Sequence, residues 1–193
     1  MLRILLYAFI IFIFFSQCQP IDKPRIAKKN VTFVNIYGVD IKTYQGITYI
    51  RDTAFSGVLY GLFPATKDTM LIKNYVKGRE NGEWKEFYEN KTLKEIRYFV
   101  GGKKEGQYLA WWQNGNKKLD YSFQNNEYQG TCKEWNMQGL LIKEANYEAG
   151  HELGTQKTWY DNGKIKANYV IINGRRYGLL GTKNCKNVSD SIF

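Results

Sequence analysis

The chain has 193 residues, with 28 Lys and Arg against 18 Asp and Glu, a formal net charge of +10 and 16% aromatic residues. This length suits one ordinary domain, and so many aromatics exclude a disordered or collagen-like polymer. A basic surface favours acidic lipid head groups, acidic proteins or nucleic acid as partners, or else it keeps a sheet protein soluble.

The first seventeen residues differ in chemistry from the rest, because their only charge is Arg3. Ile4 to Phe15 is an uninterrupted apolar run of 12 residues, whereas a membrane-spanning helix needs roughly 18. A basic residue followed by a short apolar run is typical of a secretory signal peptide. Residues 1–17 are therefore interpreted as a signal peptide, and export makes nucleic acid the least expected partner.

The segment that follows, Phe15-Ser16-Gln17-Cys18, resembles the lipobox of bacterial lipoproteins. The resemblance implies that Cys18 is lipidated and that the protein is a membrane-anchored lipoprotein of the cell envelope, facing the periplasm or on the outer membrane. An uncleaved membrane anchor and an ordinary secreted protein stay open as alternatives. Residues 18–30 hold two of the three prolines and predict a polar tether, and residues 31–46 predict N-terminal cap strands.

Glycine then recurs at spacings of 25 residues once and 24 residues four times. The aligned glycines are Gly57, Gly82, Gly106, Gly130, Gly154 and Gly178. Each full unit has a run of β-favouring residues, a turn and a second run, which predicts a β-hairpin. Asn114-Gly115 and Asn162-Gly163 predict type I′ turns, because both central residues of such a turn need positive φ.

Side-chain alternation predicts two different faces for these hairpins. Trp84, Tyr108 and Cys132 fall on one face. The opposite face carries the aromatics five residues after the aligned glycines, namely Phe87, Trp111, Trp135 and Trp159. Because one hairpin alone is marginally stable in water, successive units are expected to stack these aromatics as the rungs of a continuous core. The alternative is that Trp111, Trp112, Trp135 and Trp159 form a cage for a choline-like cation.

The unit GTQKTWYDNGKIKANY, which begins at Gly154, resembles the MORN repeat in the variant of the YwqK-like family of antitoxins and membrane-binding proteins. Gly46–Tyr49 and Ala54–Tyr60 are similar to the first hairpins of that family. The resemblance implies an all-β fold, an elongated single-layer antiparallel meander of stacked β-hairpins with a period of 24 over residues 47–178, followed by a C-terminal tail, 179–193. It also implies contact with phospholipid, or an antitoxin that neutralises a toxin by direct binding.

Catalytic chemistry has little support in the sequence. His151 is the single histidine and lies in the turn segment Ala149–Glu152, where an exposed turn residue is expected. A metal site built from several histidines is excluded. The carboxylate pairs Glu80 with Glu83 and Glu86 with Glu89 are expected to form a solvated rim. No enzyme activity, cofactor or metal is predicted.

The two other cysteines are expected to stay unpaired, since a stack of hairpins separates them by more than a disulfide can span. Cys132 takes the place of an aromatic rung. Cys185 lies in a tail that departs from the repeat and is flanked by Lys183 and Lys186. Nearby cations lower the pKa of a thiol, so Cys185 is a candidate reactive thiol.

Basic pairs lie in or beside the turns and are candidates for contact with a membrane or a partner. They are Lys103, Lys104, Lys117, Lys118, Arg175 and Arg176. The sequence therefore predicts a non-enzymatic binding or scaffold module of the bacterial cell envelope, contacting an unknown protein partner or an anionic membrane surface through a repeat sheet. The alternatives are an antitoxin of the YwqK type and a receptor for a carbohydrate or choline-like ligand.

Overall fold

The computed structural model of the protein describes residues 31–181, which form seventeen strands and no helix. The first nine strands are β1 (Phe33–Asn35), β2 (Ile41–Tyr44), β3 (Ile47–Ile50), β4 (Thr53–Ala54), β5 (Gly57–Leu62), β6 (Thr69–Val76), β7 (Arg79–Phe87), β8 (Leu93–Val100) and β9 (Lys103–Lys104). The others are β10 (Gly106–Trp111), β11 (Lys117–Gln124), β12 (Glu127–Tyr128), β13 (Gly130–Trp135), β14 (Leu141–Glu148), β15 (His151–Trp159), β16 (Ile165–Ile172) and β17 (Arg175–Leu179).

Most of the strands belong to one open sheet in the order β1-β5-β6-β7-β8-β10-β11-β13-β14-β15-β16-β17. Apart from the parallel pair β1–β5, its neighbours are antiparallel, and the short strands β9 and β12 pair with β8 and β11. Strands that follow one another along the chain therefore lie side by side. The prediction of an all-β chain dominated by antiparallel pairing is confirmed.

The turns that join the two strands of each hairpin differ from the predicted type. Trp112 N donates to Asn116 O at 2.8 Å and Gly115 N donates to Trp112 O at 2.9 Å. Gly115 has φ +87°, but Asn114 is not in the left-handed region. This is a three-residue loop, a type I turn followed by a left-handed glycine. The type I′ prediction for Asn114-Gly115 is wrong because the Asn114 carboxamide instead accepts from Asn116 N at 3.1 Å, which favours an ordinary turn conformation.

Two-residue turns with positive φ at both positions do occur, but at the opposite end of the strands, where one hairpin passes to the next. They are Lys77-Gly78, Gly101-Gly102, Asn125-Asn126, Ala149-Gly150 and Asn173-Gly174. Both positive φ angles are the mark of the type I′ turn, whose twist matches that of the flanking strands. The strands of the large sheet are therefore joined by three-residue loops at one end and by two-residue turns at the other.

A bulge accounts for four of the aligned glycines. Asp120 pairs with Lys133, and Phe123 pairs with Tyr128, so two extra residues lie on the second strand between these pairs. Gly130 lies in this segment at φ +74°, a backbone conformation that glycine adopts at little cost. Gly82, Gly106 and Gly154 have the same conformation, with φ between +64° and +80°. The glycine spacing thus marks bulges within strands.

A second, three-stranded sheet, β2-β3-β4, packs against the first strands of the large sheet. Thr48 N donates to Gly78 O at 2.8 Å. Phe55, Leu59 and Tyr75 form a buried cluster beneath it, to which β2 and β3 contribute Ile41 and Ile50. The boundary predicted between cap and repeats, at residues 46 and 47, falls in the turn between β2 and β3.

The large sheet buries mainly one face, the core face, which carries Trp84, Tyr108, Cys132 and Gln156. The register joins these side chains in one row with Arg97, Tyr121, Ala145 and Tyr169. The buried residues of this face include Phe99, Ala110, Phe123, Cys132, Ala145, Gln156, Ala167 and Ile171. The opposite, outer face carries Phe87, Trp111, Trp135 and Trp159, all half-buried. The expectation that these four residues are rungs of the core therefore holds only in part, because they are half-buried. The most buried row is that of Cys132, which was predicted to take the place of an aromatic rung.

Candidate interaction surfaces

Carboxylates on the core face are held by a tyrosine and a cation. Arg97 donates to Glu95 at 2.8 Å, Tyr108 Oη donates to the same carboxylate at 2.8 Å, and Arg97 also contacts Tyr108 Oη at 3.1 Å. Burial and the hydrogen bond to Glu95 raise the pKa of Tyr108 to about 12. The phenol is therefore a proton donor throughout the physiological range, and it has none of the character of a base or nucleophile.

The same arrangement occurs twice more along this face. Tyr121 donates to Glu134, which Lys143 approaches to 3.1 Å. The three groups of the last set are Glu152, Tyr169 and Arg176, with the guanidinium 2.7 Å from the carboxylate. Burial first, and then the carboxylate, raises the pKa of both Tyr121 and Tyr169. The three sets link adjacent strands, and we interpret them as structural.

Glu83 and Glu86, which belong to the carboxylate pairs noted in the sequence, each form ion pairs with lysines. Lys85 lies 2.5 Å from Glu83, and this hydrogen bond keeps the pKa of Glu83 below its usual range. Burial acts to raise the pKa of Glu86, but Lys73 and Lys94, each 3.3 Å away, outweigh it and lower that pKa. Both groups are anionic at neutral pH, which is unsuited to a general acid.

The six predicted basic contact residues lie at two opposite ends of the strands. Lys103 and Lys104 on β9, and Arg175 and Arg176 on β17, follow the two-residue turns. The remaining pair, Lys117-Lys118, opens β11 beyond the three-residue loop. Four of the six thus lie at the end of the strands that carries the two-residue turns, and the other two lie at the opposite end.

Five of these six side chains already contact other groups of the chain. Lys104 lies over Phe123 at 5.1 Å, Lys117 over Trp135 at 5.3 Å and Lys118 over Trp112 at 4.5 Å. Lys103 reaches the Asn125 carboxamide at 3.4 Å, and Arg176 reaches Glu152. Arg175 is the exception, because within residues 31–181 it makes no ion pair or hydrogen bond.

The end of the strands that carries the two-residue turns, and with them four of the basic residues, is not uniformly basic. Offsets of 24 residues place Arg79, Lys103, Glu127, His151 and Arg175 at corresponding positions directly after successive turns. The sign of the charge therefore changes along this row of turns. An anionic surface that contacted the row would be repelled by Glu127 in its middle.

The tryptophans do not assemble a cage. Trp112 uses its indole N–H to bind Trp135 O at 3.0 Å, and lysines of the chain itself cover the faces of Trp112 and Trp135. Within the described part of the chain, no ring contact joins Trp111, Trp112, Trp135 and Trp159. A cage for a quaternary ammonium ion needs several rings around one point, which this arrangement does not supply.

Cys132 is a free thiol with 1% of its surface exposed, and burial raises its pKa. Both properties make it an unreactive core residue. The predicted lipidation site Cys18 and the candidate reactive thiol Cys185 lie outside the described residues.

The last strand, β17, was missed as a candidate surface in the sequence, although Gly178 had marked it as the start of a further unit. Within residues 31–181 it pairs with β16 alone, and all five of its residues are exposed there. Tyr177 is 51% exposed and Leu179 49%, and Ile172 on β16 is 52% exposed beside them. An open strand edge with apolar side chains is a surface suited to pairing with another strand.

Comparison with protein-family models and with the sequences of curated proteins finds no match. Among residues 31–181 no helix has the length and apolar content needed to cross a bilayer.

Proposed function

We propose that the protein is a non-enzymatic binding or scaffold module of the bacterial cell envelope that contacts a protein partner through its sheet. One observation carries the proposal, namely the exposed edge of β17 with Tyr177 and Leu179 on it. The three sets of carboxylate, tyrosine and cation on the core face are consistent with a structural role for that face. In each set the tyrosine is protonated at neutral pH and the carboxylate is paired with a cation. Envelope attachment is supported by the predicted signal peptide, residues 1–17, and by the predicted lipidation site Cys18.

The sheet is a row of hairpin repeats of the MORN type with a period of 24 residues. Two features support this assignment. The bulge glycines at intervals of 24 share one backbone conformation. Equivalent side chains also tie successive hairpins, since Asn90 Nδ2 donates to Gln113 O at 3.3 Å and Asn114 Nδ2 donates to Met137 O at 2.8 Å. Strand pairs in extensive contact are neighbours in the sheet, as expected of a repeat protein.

Site-specific photo-crosslinking in intact cells tests the binding role. A benzophenone amino acid at Leu179 is expected to give a discrete, light-dependent adduct with one protein. The same group at Gln113, an exposed residue at the opposite end of the strands, is the matched control and should give no such adduct. Adducts only with lipid, or the same adducts from both positions, would contradict the proposal.

Fatty-acid labelling tests the envelope attachment separately. The wild-type chain is expected to incorporate labelled palmitate and to fractionate with membranes. Cys18→Ser should incorporate none. Equal labelling of the variant would refute lipidation at Cys18.

A further inference from the structure

We propose that β17 binds an extended segment of a partner protein as an added antiparallel strand, and that this segment carries two alternate apolar residues followed, two positions later, by an acidic residue. The inference rests on the proposed function and specifies the chemistry of the partner. It is carried by the register of β17, by the exposure of its side chains and by the unpaired charge of Arg175.

The backbone of β17 supplies the general attraction. Interior strands such as β7 and β15 have a neighbouring strand on both sides, whereas β17 has only β16 in the part of the chain that the structure describes. Strand addition to such an edge gains main-chain hydrogen bonds, and alternate side chains then determine which sequence fits. Antiparallel addition continues the pattern of the sheet and is slightly more stable per residue than parallel addition.

The outer face of β17 determines the apolar part of the motif. Arg175, Tyr177 and Leu179 pair with Ile172, Val170 and Asn168 and so share this face. On the core face β17 presents only Arg176, which is bound to Glu152, and Gly178. A partner strand therefore meets two exposed apolar side chains and one cation at alternate positions on a single face. Opposite Tyr177 and Leu179, apolar residues bury the most surface.

The charge of Arg175 determines the acidic part. Its guanidinium has no ion pair or hydrogen bond within the described residues, and the chain has a net charge of +10. A second copy of the chain fits less well. Antiparallel pairing of two β17 strands centred on Tyr177 would place each Arg175 opposite Leu179 of the other copy, so both arginines would lack an anion. An acidic residue opposite Arg175 neutralises it.

Two synthetic peptides test the motif by fluorescence anisotropy with the purified full chain. The first peptide has valine, valine and glutamate, in that order, at alternate positions, with threonine at the positions between them. The second has lysine in place of the glutamate. At low ionic strength the acidic peptide is expected to bind about tenfold more tightly, since exchanging glutamate for lysine replaces attraction to Arg175 by repulsion. Arg175→Glu should reverse the preference. Equal affinities, or a preference that Arg175→Glu does not change, would overturn the proposal.

Arg79→Glu is the matched control, because Arg79 occupies the corresponding position on β7, which is paired on both sides. It should leave the preference for the acidic peptide intact. Circular dichroism of both variants verifies the fold.

Hydrogen exchange locates the bound peptide and separates the other occupants. Amides of β17 should exchange quickly in the chain alone at every concentration and slow down when the acidic peptide binds. Slow exchange in the dilute chain alone would mean that residues 182–193 cover this edge, and protection that grows with protein concentration would mean that a second copy does. Either result overturns the proposal. A persistent crosslink at Leu179 without a charge preference would refute the motif and leave the proposed function intact.

Discussion

Tyrosine hydroxyls satisfy carboxylates that the core face partly buries. Only 14% of the Glu95 side chain is exposed, and it receives hydrogen bonds from both Tyr108 and Arg97. A carboxylate taken out of water is costly unless it is paired and hydrogen-bonded. The phenol contributes the second donor that the cation alone does not supply.

This arrangement makes the stability of the protein sensitive to alkaline pH. The pKa of Tyr108 rises from 10.0 to about 12 in the folded protein. Between these two values the unfolded chain loses its proton first, so the contribution of the phenol is present below pH 10 and is lost as the pH rises toward 12. We expect Tyr108→Phe to lower the free energy of unfolding by roughly 1.5–3 kcal/mol at pH 7, because hydrogen bonds to charged groups are lost. Urea denaturation across this pH range should show the two proteins converging at high pH.

Tyr177→Phe is the control for this experiment, because Tyr177 is exposed and has no hydrogen-bond partner within residues 31–181. It should change the free energy of unfolding by less than about 0.5 kcal/mol. A difference between wild type and Tyr108→Phe that stays constant up to pH 12 would contradict the assignment.

A single strained residue offers a stabilising substitution. Ala149 has φ +46° at the first position of its two-residue turn, where two other turns have Asn125 and Asn173 at similar angles. Left-handed backbone costs an alanine about 1 kcal/mol and an asparagine less. We expect Ala149→Asn to raise the melting temperature by about 1–4 °C, as measured by calorimetry. Ala149→Val should lower it, and a change of the same sign in both variants would disprove the explanation.

At the level of elements, the antiparallel order from β5 onward was predictable, because the glycine spacing and the alternation of aromatics depend on local backbone geometry. The parallel pair β1–β5 and the separate sheet β2-β3-β4 were not predicted as parts of a single-layer meander. The turn type was not predictable either. Asn114-Gly115 suits a type I′ turn and a type I turn with a left-handed glycine equally well, and the choice depends on the bond from Asn116 N to Asn114. The core face was predicted only in part, because alternation separates two faces without saying which one packs, and rungs were expected on both.

The candidate site was less predictable than the fold. Whether a basic residue is available depends on what lies opposite it in the sheet, and Lys118 over Trp112 is a contact that sequence spacing does not indicate. The open edge of β17 depends on which strands follow it in space. Such a feature becomes visible only when the order of the whole sheet is known.

Polar side chains one residue before the aligned glycines link successive hairpins. Ser56, Asn81, Glu105 and Gln129 each accept from a backbone N–H in the turn of the next unit, at 2.7–3.2 Å. The corresponding residue before Gly154 is Leu153, a hydrocarbon side chain that cannot accept a hydrogen bond. These side chains hold the turn end of the sheet together in addition to the strand pairing.

Removal of one such link should weaken the protein measurably. We expect Gln129→Ala to lower the free energy of unfolding by about 1 kcal/mol, because Ala149 N loses its acceptor. Urea denaturation provides the measurement. Gln107→Ala is the control, since Gln107 is an exposed strand residue without a hydrogen bond from its side chain within the described residues. Equal effects of the two variants would show that the link contributes nothing.

For the molecule as a whole, the two ends of the large sheet differ. At the first end, the three-stranded sheet covers a compact cluster around Phe55, which is 7% exposed. At the other end, β17 is exposed along its full length. The edge strand β1 is partly buried by the packing at the first end. Within residues 31–181, β17 is the only edge strand of the large sheet in which all residues are exposed.

This asymmetry predicts how damage spreads through the sheet. Phe55→Ala removes a buried ring, which typically costs about 3–5 kcal/mol. Because the strand pairs in extensive contact are sheet neighbours, the loss should fall mainly on nearby strands, as it does in proteins whose units contact only their neighbours. Hydrogen exchange should therefore quicken at β5, β6 and β7 and change least at β14, β15 and β16. Ala167→Gly is the matched perturbation, because Ala167 is also 7% exposed but lies on β16. It should give the opposite gradient, and uniform loss of protection in both variants would mean that the sheet unfolds as a single cooperative unit.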